Sequence, residues 1–360
     1  MDTLFETPFE QETEKGKPNW GLLGHNWAVE MLREHLRRGS SRHAYLLTGA
    51  DGVGKRSLAI RFIQAVNCPQ AKTTGEPCLQ PTCRVCRQVE AMQHADLKVV
   101  EVPEGKSEIP IDLIRELQAF LSLSPYESPF KIGLLLNFQR ATVQAQNALL
   151  KTLEESPERA KIIITADIPE NLLPTIVSRC ELIRLRPLAP GMIEDYLIRE
   201  QGVNAGKALE ADRVSAGRPG FAIRYLDDGA FQDRRRQDIQ DFIRVMNQSI
   251  VEKLHYVEEE YPRGRDMAQY RTRAKNAIQT WQSFLRDVLL RSANPDAQVC
   301  NVDFVDLIDN LSNRMTPQQA EAWISACDAA IRRIDGYCNL RLVLDNLLLE
   351  NESIKDTYQG

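Results

Sequence analysis

Gly49-Ala50-Asp51-Gly52-Val53-Gly54-Lys55-Arg56-Ser57 lies between the apolar run Ala44-Tyr45-Leu46-Leu47 and the helix-prone stretch Leu58-Ala59-Ile60-Arg61-Phe62. In that setting a glycine-rich turn is a phosphate-binding loop. Gly49, Gly52 and Gly54 let successive backbone N–H groups curl around an anion, the following helix presents its positive end, and Lys55 is spaced to reach terminal phosphates. One position is altered. The usual pattern ends Gly-Lys-Ser/Thr, and that hydroxyl holds magnesium; here the residue is Arg56. Ser57 is a poor substitute, because one step along a helix turns a side chain by about 100°. The loop keeps the cradle and loses a metal ligand, which leaves open weak ATP or ADP binding, binding without turnover, or retention of the fold alone. Arg56 could itself neutralise phosphate charge, since guanidinium pairs well with phosphate oxygens.

A second site carries the same message. Ile132-Gly133-Leu134-Leu135-Leu136 is a continuous apolar run suited to a strand buried on both faces. Phosphate-loop ATPases place an acidic residue at the end of such a strand to hold magnesium, whereas this chain continues Asn137-Phe138-Gln139. With two independent parts of the hydrolytic apparatus missing, the isolated chain is expected to hydrolyse no ATP, with no Mg²⁺-dependent turnover. Nothing resembles the paired magnesium-binding carboxylates of a polymerase.

Cys68, Cys78, Cys83 and Cys86 fall within nineteen residues. The two-residue gap of the last pair lets both thiolates face one ion, and the longer intervals can complete a tetrahedron, so a structural Zn²⁺ is expected over a disulfide. Cys180, Cys300, Cys327 and Cys338 are scattered singly and read as small core residues.

The elements that must position these groups alternate. Ala28, Met31, Leu32, His35 and Leu36 recur at helical spacing, and Gly39-Ser40-Ser41 ends that helix. Leu97 to Val102 reads as a strand, Pro110 opens a helix, Thr142 caps the helix carrying Ala145, Leu149 and Leu153, and Lys161 to Thr165 is a further buried strand. Such alternation means a doubly wound α/β domain. The chain has 360 residues, 43% apolar, with a formal net charge of −5. That argues against a protein coated in nucleic acid. No apolar run approaches the roughly 18 residues of a membrane span, and Met1-Asp2-Thr3-Leu4-Phe5-Glu6 is acidic, so a cytoplasmic protein is expected with no membrane partner. Residues 1–18 read as a disordered tail.

Gln144-Ala145-Gln146-Asn147-Ala148-Leu149-Leu150-Lys151-Thr152-Leu153-Glu154-Glu155, followed by Leu173-Pro174-Thr175-Ile176-Val177-Ser178-Arg179-Cys180, resembles the bacterial clamp-loader branch of the AAA+ family. His43-Ala44-Tyr45-Leu46-Leu47 before the loop, the four-cysteine insertion and Gly217-Arg218-Pro219-Gly220 fit it as well. The motifs cover about residues 20–225, with faint echoes at Trp281 to Asp287 and Asn339 to Leu342.

The resemblance implies an AAA+ nucleotide-binding-like domain over 19–187 with a zinc module at 68–86, a helical lid over 188–229, and an all-α collar over 230–360 that joins a hetero-pentamer. Arg179 is implied to be an arginine finger acting in trans, against the alternative of a surface arginine in an ion pair. Thr165 and Arg218 would be sensor residues, with a purely local structural role about as well supported. The cysteines match the family's zinc module, except that four residues separate Cys78 from Cys83 where the family usually has two. The implied partners are the motor subunits and a delta subunit, with the sliding clamp and primed DNA reached through the complex. The function implied is a non-hydrolysing loader subunit. An ATP-hydrolysing motor subunit and a divergent AAA+ adaptor outside replication are the alternatives. From Phe231 onward the pattern is wholly helical, with Ile334 to Leu349 as its last helix and Arg234-Arg235-Arg236 as a solvated face beside Asp233 and Asp238.

Overall fold

The computed structural model describes residues 19–349 except 72–74, 79, 81, 265, 266 and 337. The expected tail at 1–18 lies outside the described residues. Five strands form one parallel sheet: β1 (Ala44–Thr48), β2 (Leu97–Val100), β3 (Lys131–Leu135), β4 (Ala160–Ala166) and β5 (Glu181–Arg184), in the order β2-β3-β4-β1-β5. Leu46 pairs with Ile164 on one side and Leu182 on the other. Helices cover both faces, which is why β1, β3 and β4 are buried along their whole length rather than in alternation, while the edge strands β2 and β5 are partly exposed.

Successive residues of β1 feed opposite cores. Tyr45 and Leu47 pack with Trp20, Leu32, Phe62 and Ile163 under α1 (Asn26–Arg37) and α2 (Lys55–Asn67). A short α3 (Arg84–Glu90) closes the cysteine segment. On the other face, Ala44 and Leu46 pack with Leu117, Leu149, Ile162 and Ile164 under α4 (Ile111–Leu121) and α5 (Val143–Glu154). Pro110 stands at the N-cap of α4, and the Thr142 hydroxyl caps α5 by accepting from the Ala145 amide at 3.1 Å. A single turn, α6 (Pro174–Val177), leads to Arg179 and β5.

Three small helices follow: α7 (Met192–Gln201), α8 (Ala205–Ser215) and α9 (Pro219–Asp227), closed around Ile193, Leu197, Ala211 and Tyr225. The rest is helical: α10 (Gly229–Met246), α11 (Ile250–Glu260), α12 (Met267–Ala293), α13 (Val305–Ser312), α14 (Pro317–Asp335) and α15 (Leu340–Leu349). Their core holds Phe242, Trp281, Phe284 and Trp323. Among the described residues no helix is long and apolar enough to cross a membrane.

Three expectations are corrected. The last helical stretch is broken: α14 stops at Asp335, Gly336 follows, and α15 begins afresh at Leu340. Arg235 is no solvated residue. It is buried, paired with Asp303 at 2.6 Å and hydrogen-bonded to Asn301, because its direction on α10 faces the segment before α13; Arg234 and Arg236 do pair with Asp238 and Asp233. Cys338 is exposed in the α14–α15 connection rather than in a core, while Cys327 is buried and Cys180 and Cys300 are partly so.

Candidate functional site

The carboxyl ends of β1, β2, β3 and β4 lie along one edge of the sheet, where parallel α/β folds open their ligand crevices. A cavity of about 500 Å³ occupies that edge. It is lined by the loop from Asp51 to Ser57, by Asn137 after β3, Thr165 near the end of β4, and Pro219, Gly220 and Ile223 of α9. The loop has the backbone expected of it: φ is +145° at Gly49, +77° at Gly52 and +112° at Gly54. A Cβ at Gly49 would lie 2.4 Å from the Leu185 carbonyl oxygen, so only glycine fits there.

Lys55 is turned back into its own loop. Its ammonium donates to the carbonyls of Gly49 and Ala50, the second at 3.0 Å. Burial lowers its pKa, and Asp51 and Asp167 oppose that shift. His25 braces the loop from below. Its Nε2 lies 2.8 Å from the Val53 carbonyl oxygen, which can only accept, so Nε2 carries the proton. Burial holds this imidazole's pKa below its ordinary value, against the effect of that hydrogen bond.

Arg56 and Ser57 stand in the first turn of α2, exposed, and both line the cavity. Thr165 is buried, and its hydroxyl accepts the Asn137 amide at 2.9 Å, so it ties the ends of β3 and β4 together. Arg218 does not line the cavity; its Nε donates to the Ser215 carbonyl at 2.8 Å and its guanidinium lies 4.4 Å over the Phe221 ring, contacts of the local structural kind. The chain entering α9 turns this side chain inward, and Gly220 meets the loop instead, its amide donating to the Gly52 carbonyl at 2.8 Å.

Sequence reasoning missed Glu101. No carboxylate follows β3, but Glu101 follows β2, and β2 is paired to β3 with Val100 opposite Leu135, so a carboxylate reaches the cavity from the neighbouring strand. The strand expected over Leu97 to Val102 contains Glu101, whereas the strand stops at Val100 and Glu101 is the first residue beyond its carboxyl end.

Arg179 lies away from this cavity. Its guanidinium pairs with Glu154 at 2.7 Å and donates to the Thr175 carbonyl at 3.0 Å, with 36% of the side chain exposed. The free chain therefore holds Arg179 in a surface ion pair, an interaction of about 0–1 kcal/mol that a stronger anion can displace.

The four cysteines converge at the far end of α2. Cys68 caps that helix, Cys83 caps α3 with its sulfur accepting the Cys86 amide at 3.3 Å, and all four Sγ atoms lie within 4.8 Å of one another. Cys68 Sγ is 3.7 Å from Cys78 Sγ and 3.8 Å from Cys83 Sγ. A disulfide would bring sulfurs to about 2.05 Å. Thiolates placed tetrahedrally about 2.3 Å from one ion stand about 3.8 Å apart. The spacing fits a metal ion, and the longer 78–83 interval does not prevent the convergence. Burial pushes the Cys83 and Cys86 thiols up, while the Thr82 hydroxyl leads the hydrogen bonds that hold Cys78 at about 6. Gln64 supports the site from α2, donating to the Cys86 carbonyl at 3.0 Å.

The family model for DNA polymerase III, delta subunit, matches residues 24–189. The DNA polymerase III subunit delta-prime of Bacillus subtilis is 26% identical over 321 residues, 89% of this chain and 94% of that one. The delta-prime subunit of Pseudomonas aeruginosa is 31% identical over 227 residues, 62% of this chain and 68% of its own length. The DNA polymerase III subunit gamma of Buchnera aphidicola is 32% identical over 176 residues, but only 49% of this chain and 47% of that protein are covered.

Proposed function

We propose a function from one premise: the chain belongs to the family of DNA polymerase III delta-prime subunits. On that premise it is a non-hydrolysing subunit of the replicative clamp loader, working in the cytoplasm. It assembles with motor subunits and a delta subunit in a hetero-pentamer, and acts on the sliding clamp and primed DNA through that complex. The division into 19–187, 188–229 and a collar over 230–360 belongs to the same reading, with the collar as the assembly surface. Cys68, Cys78, Cys83 and Cys86 would hold a structural Zn²⁺, which when bound clamps the 68–86 segment and takes no part in ATP chemistry.

One observation carries the reading: Arg179 stands outside the chain's own cavity, half-exposed and held by a surface ion pair, while that cavity has Arg56 and Asn137 in place of the magnesium-holding groups. An arginine so held is free to leave Glu154 for a phosphate on a neighbour and to stabilise charge developing on the transferred group. In the assembled loader, Arg179→Ala is expected to lower turnover at the adjacent site on the order of 10³-fold, and total ATPase by the share of that one site. Lysine should rescue poorly, because a point charge lacks the planar fork. Gel filtration first establishes that the variant has joined the complex. An assembled variant that loads clamps at the wild-type rate refutes the role.

Glu101 favours a second reading, an ATP-hydrolysing motor subunit, since it brings one carboxylate to the cavity. ATP turnover by the isolated chain that is abolished by Lys55→Ala would establish that reading instead. Failure to join the motor subunits would point to an adaptor outside replication.

A further inference from the structure

Arg56 sits beside Lys55 in the first turn of α2, lines the cavity, and has no hydrogen-bond or ion-pair partner among the described residues. Two adjacent cations at the positive end of a helix repel the dipole and each other, so the arrangement is unfavourable until an anion arrives. The neighbouring cation Arg61 is already engaged, donating to Gln64 at 2.9 Å and facing Glu90 at 3.5 Å. Asn137 replaces a carboxylate that would both attract a divalent ion and repel phosphate.

We infer that the cavity binds a nucleoside di- or triphosphate without a divalent cation, with the Arg56 guanidinium occupying the place and the electrostatic role of magnesium. On binding, Lys55 leaves the Gly49 and Ala50 carbonyls for the phosphate, and the loop amides turn to it. Arg56 pairs with two oxygens at once through its planar fork. The half-site cover from Pro219, Gly220 and Ile223 limits solvent at the bound group. Asp51 and Glu101 also face the cavity and repel an anion, which keeps the affinity modest and makes the cation requirement the property to measure. The inference deepens the reading of this chain as non-hydrolysing and rests on it, because a site without metal lacks the ion that bridges the β- and γ-phosphate oxygens during transfer.

The test is binding of a fluorescent ATP analogue to the full chain by anisotropy, in EDTA and in Mg²⁺. Wild type is expected to bind with dissociation constants within about threefold of each other in the two buffers. Arg56→Ser, which restores the metal-binding hydroxyl at an exposed position, is expected to bind at least about tenfold more weakly in EDTA and to recover with Mg²⁺. Thermal melting verifies that the variant is folded. The inference is overturned if EDTA abolishes wild-type binding, if Arg56→Ser binds like wild type in EDTA, or if no binding occurs at millimolar nucleotide. A chain that assembles and needs Arg179 yet binds no nucleotide removes this inference and leaves the loader role standing.

Discussion

The two ends of α2 make opposite kinds of site. At its carboxyl end, Cys68 meets three other sulfurs supplied within nineteen residues, and the set is complete for one ion. At its amino end, the phosphate loop needs groups from β2, β3, β4 and α9, and two of the expected ones are missing or replaced. A local set of like ligands is all or nothing, since three thiolates and a serine make a poor cage. A cavity assembled from distant strands can lose members one at a time and keep its shape, because its walls are also the core.

The largest expected effect therefore belongs to the carboxyl end. Cys86→Ser should reduce bound zinc from about one per chain to near zero and cost several kcal/mol of stability, since metal binding is folding free energy for such a segment. Metal analysis by mass spectrometry and urea titration measure both. Unchanged stability in the metal-free variant would break the contrast.

Gly52→Ala probes the amino end as a structural seat rather than a ligand site. A Cβ there would lie 2.9 Å from the Phe221 amide nitrogen on a backbone with φ of +77°, so loop and α9 must part. The expected cost is about 1–3 kcal/mol, with faster amide exchange at Gly220 and Phe221. If exchange there is unaltered, the loop does not hold α9.

The smallest effect concerns the opposite edge of the sheet, where a buried charge is already satisfied. Burial alone would push Asp96 up, but the amides of Tyr126, Glu127 and Ser128, with Lys131, outweigh it and hold the carboxyl below its usual range. A depressed folded pKa means that the stabilisation is fully present above the unfolded value near 3.9 and is lost as pH falls through the folded one. Asp96→Asn should cost about 1–2 kcal/mol at pH 7 and flatten the loss of stability on acidification below about pH 4. Urea midpoints across that range decide it; parallel curves for the two proteins would mean that Asp96 carries no such linkage.

Much of this was legible in the chain. β1, β3 and β4 showed as apolar runs because both their faces are covered, and Thr142 announced its helix by its chemistry, whereas the partly exposed edge strand β5 was not read as a strand. Arg235 was misread because a run of three arginines beside aspartates looks solvated, and only the packing of α10 against the Asn301–Asp303 segment turns one of them inward. For Arg218 a sensor role and a local structural one stood equally open, because nothing in Gly217 to Gly220 says which way the chain enters α9; the packed fold sets the side chain on the Ser215 carbonyl and the Phe221 ring.

By itself the sequence determined what depends on neighbours along the chain: the glycine loop with its arginine in the metal position, the missing carboxylate after β3, and the four cysteines, whose short intervals keep their thiols within reach of one ion. Only the tertiary structure decided what depends on strand order and on competing partners. It brought Glu101 to the cavity by pairing β2 with β3, folded Lys55 onto its own loop, and left Arg179 outside the lining of its own chain's cavity, paired with Glu154. The physical reason is reach: turn geometry and ligand spacing act over a few residues, whereas the direction of a long charged side chain follows from whichever carbonyl or carboxylate the packed fold leaves nearest.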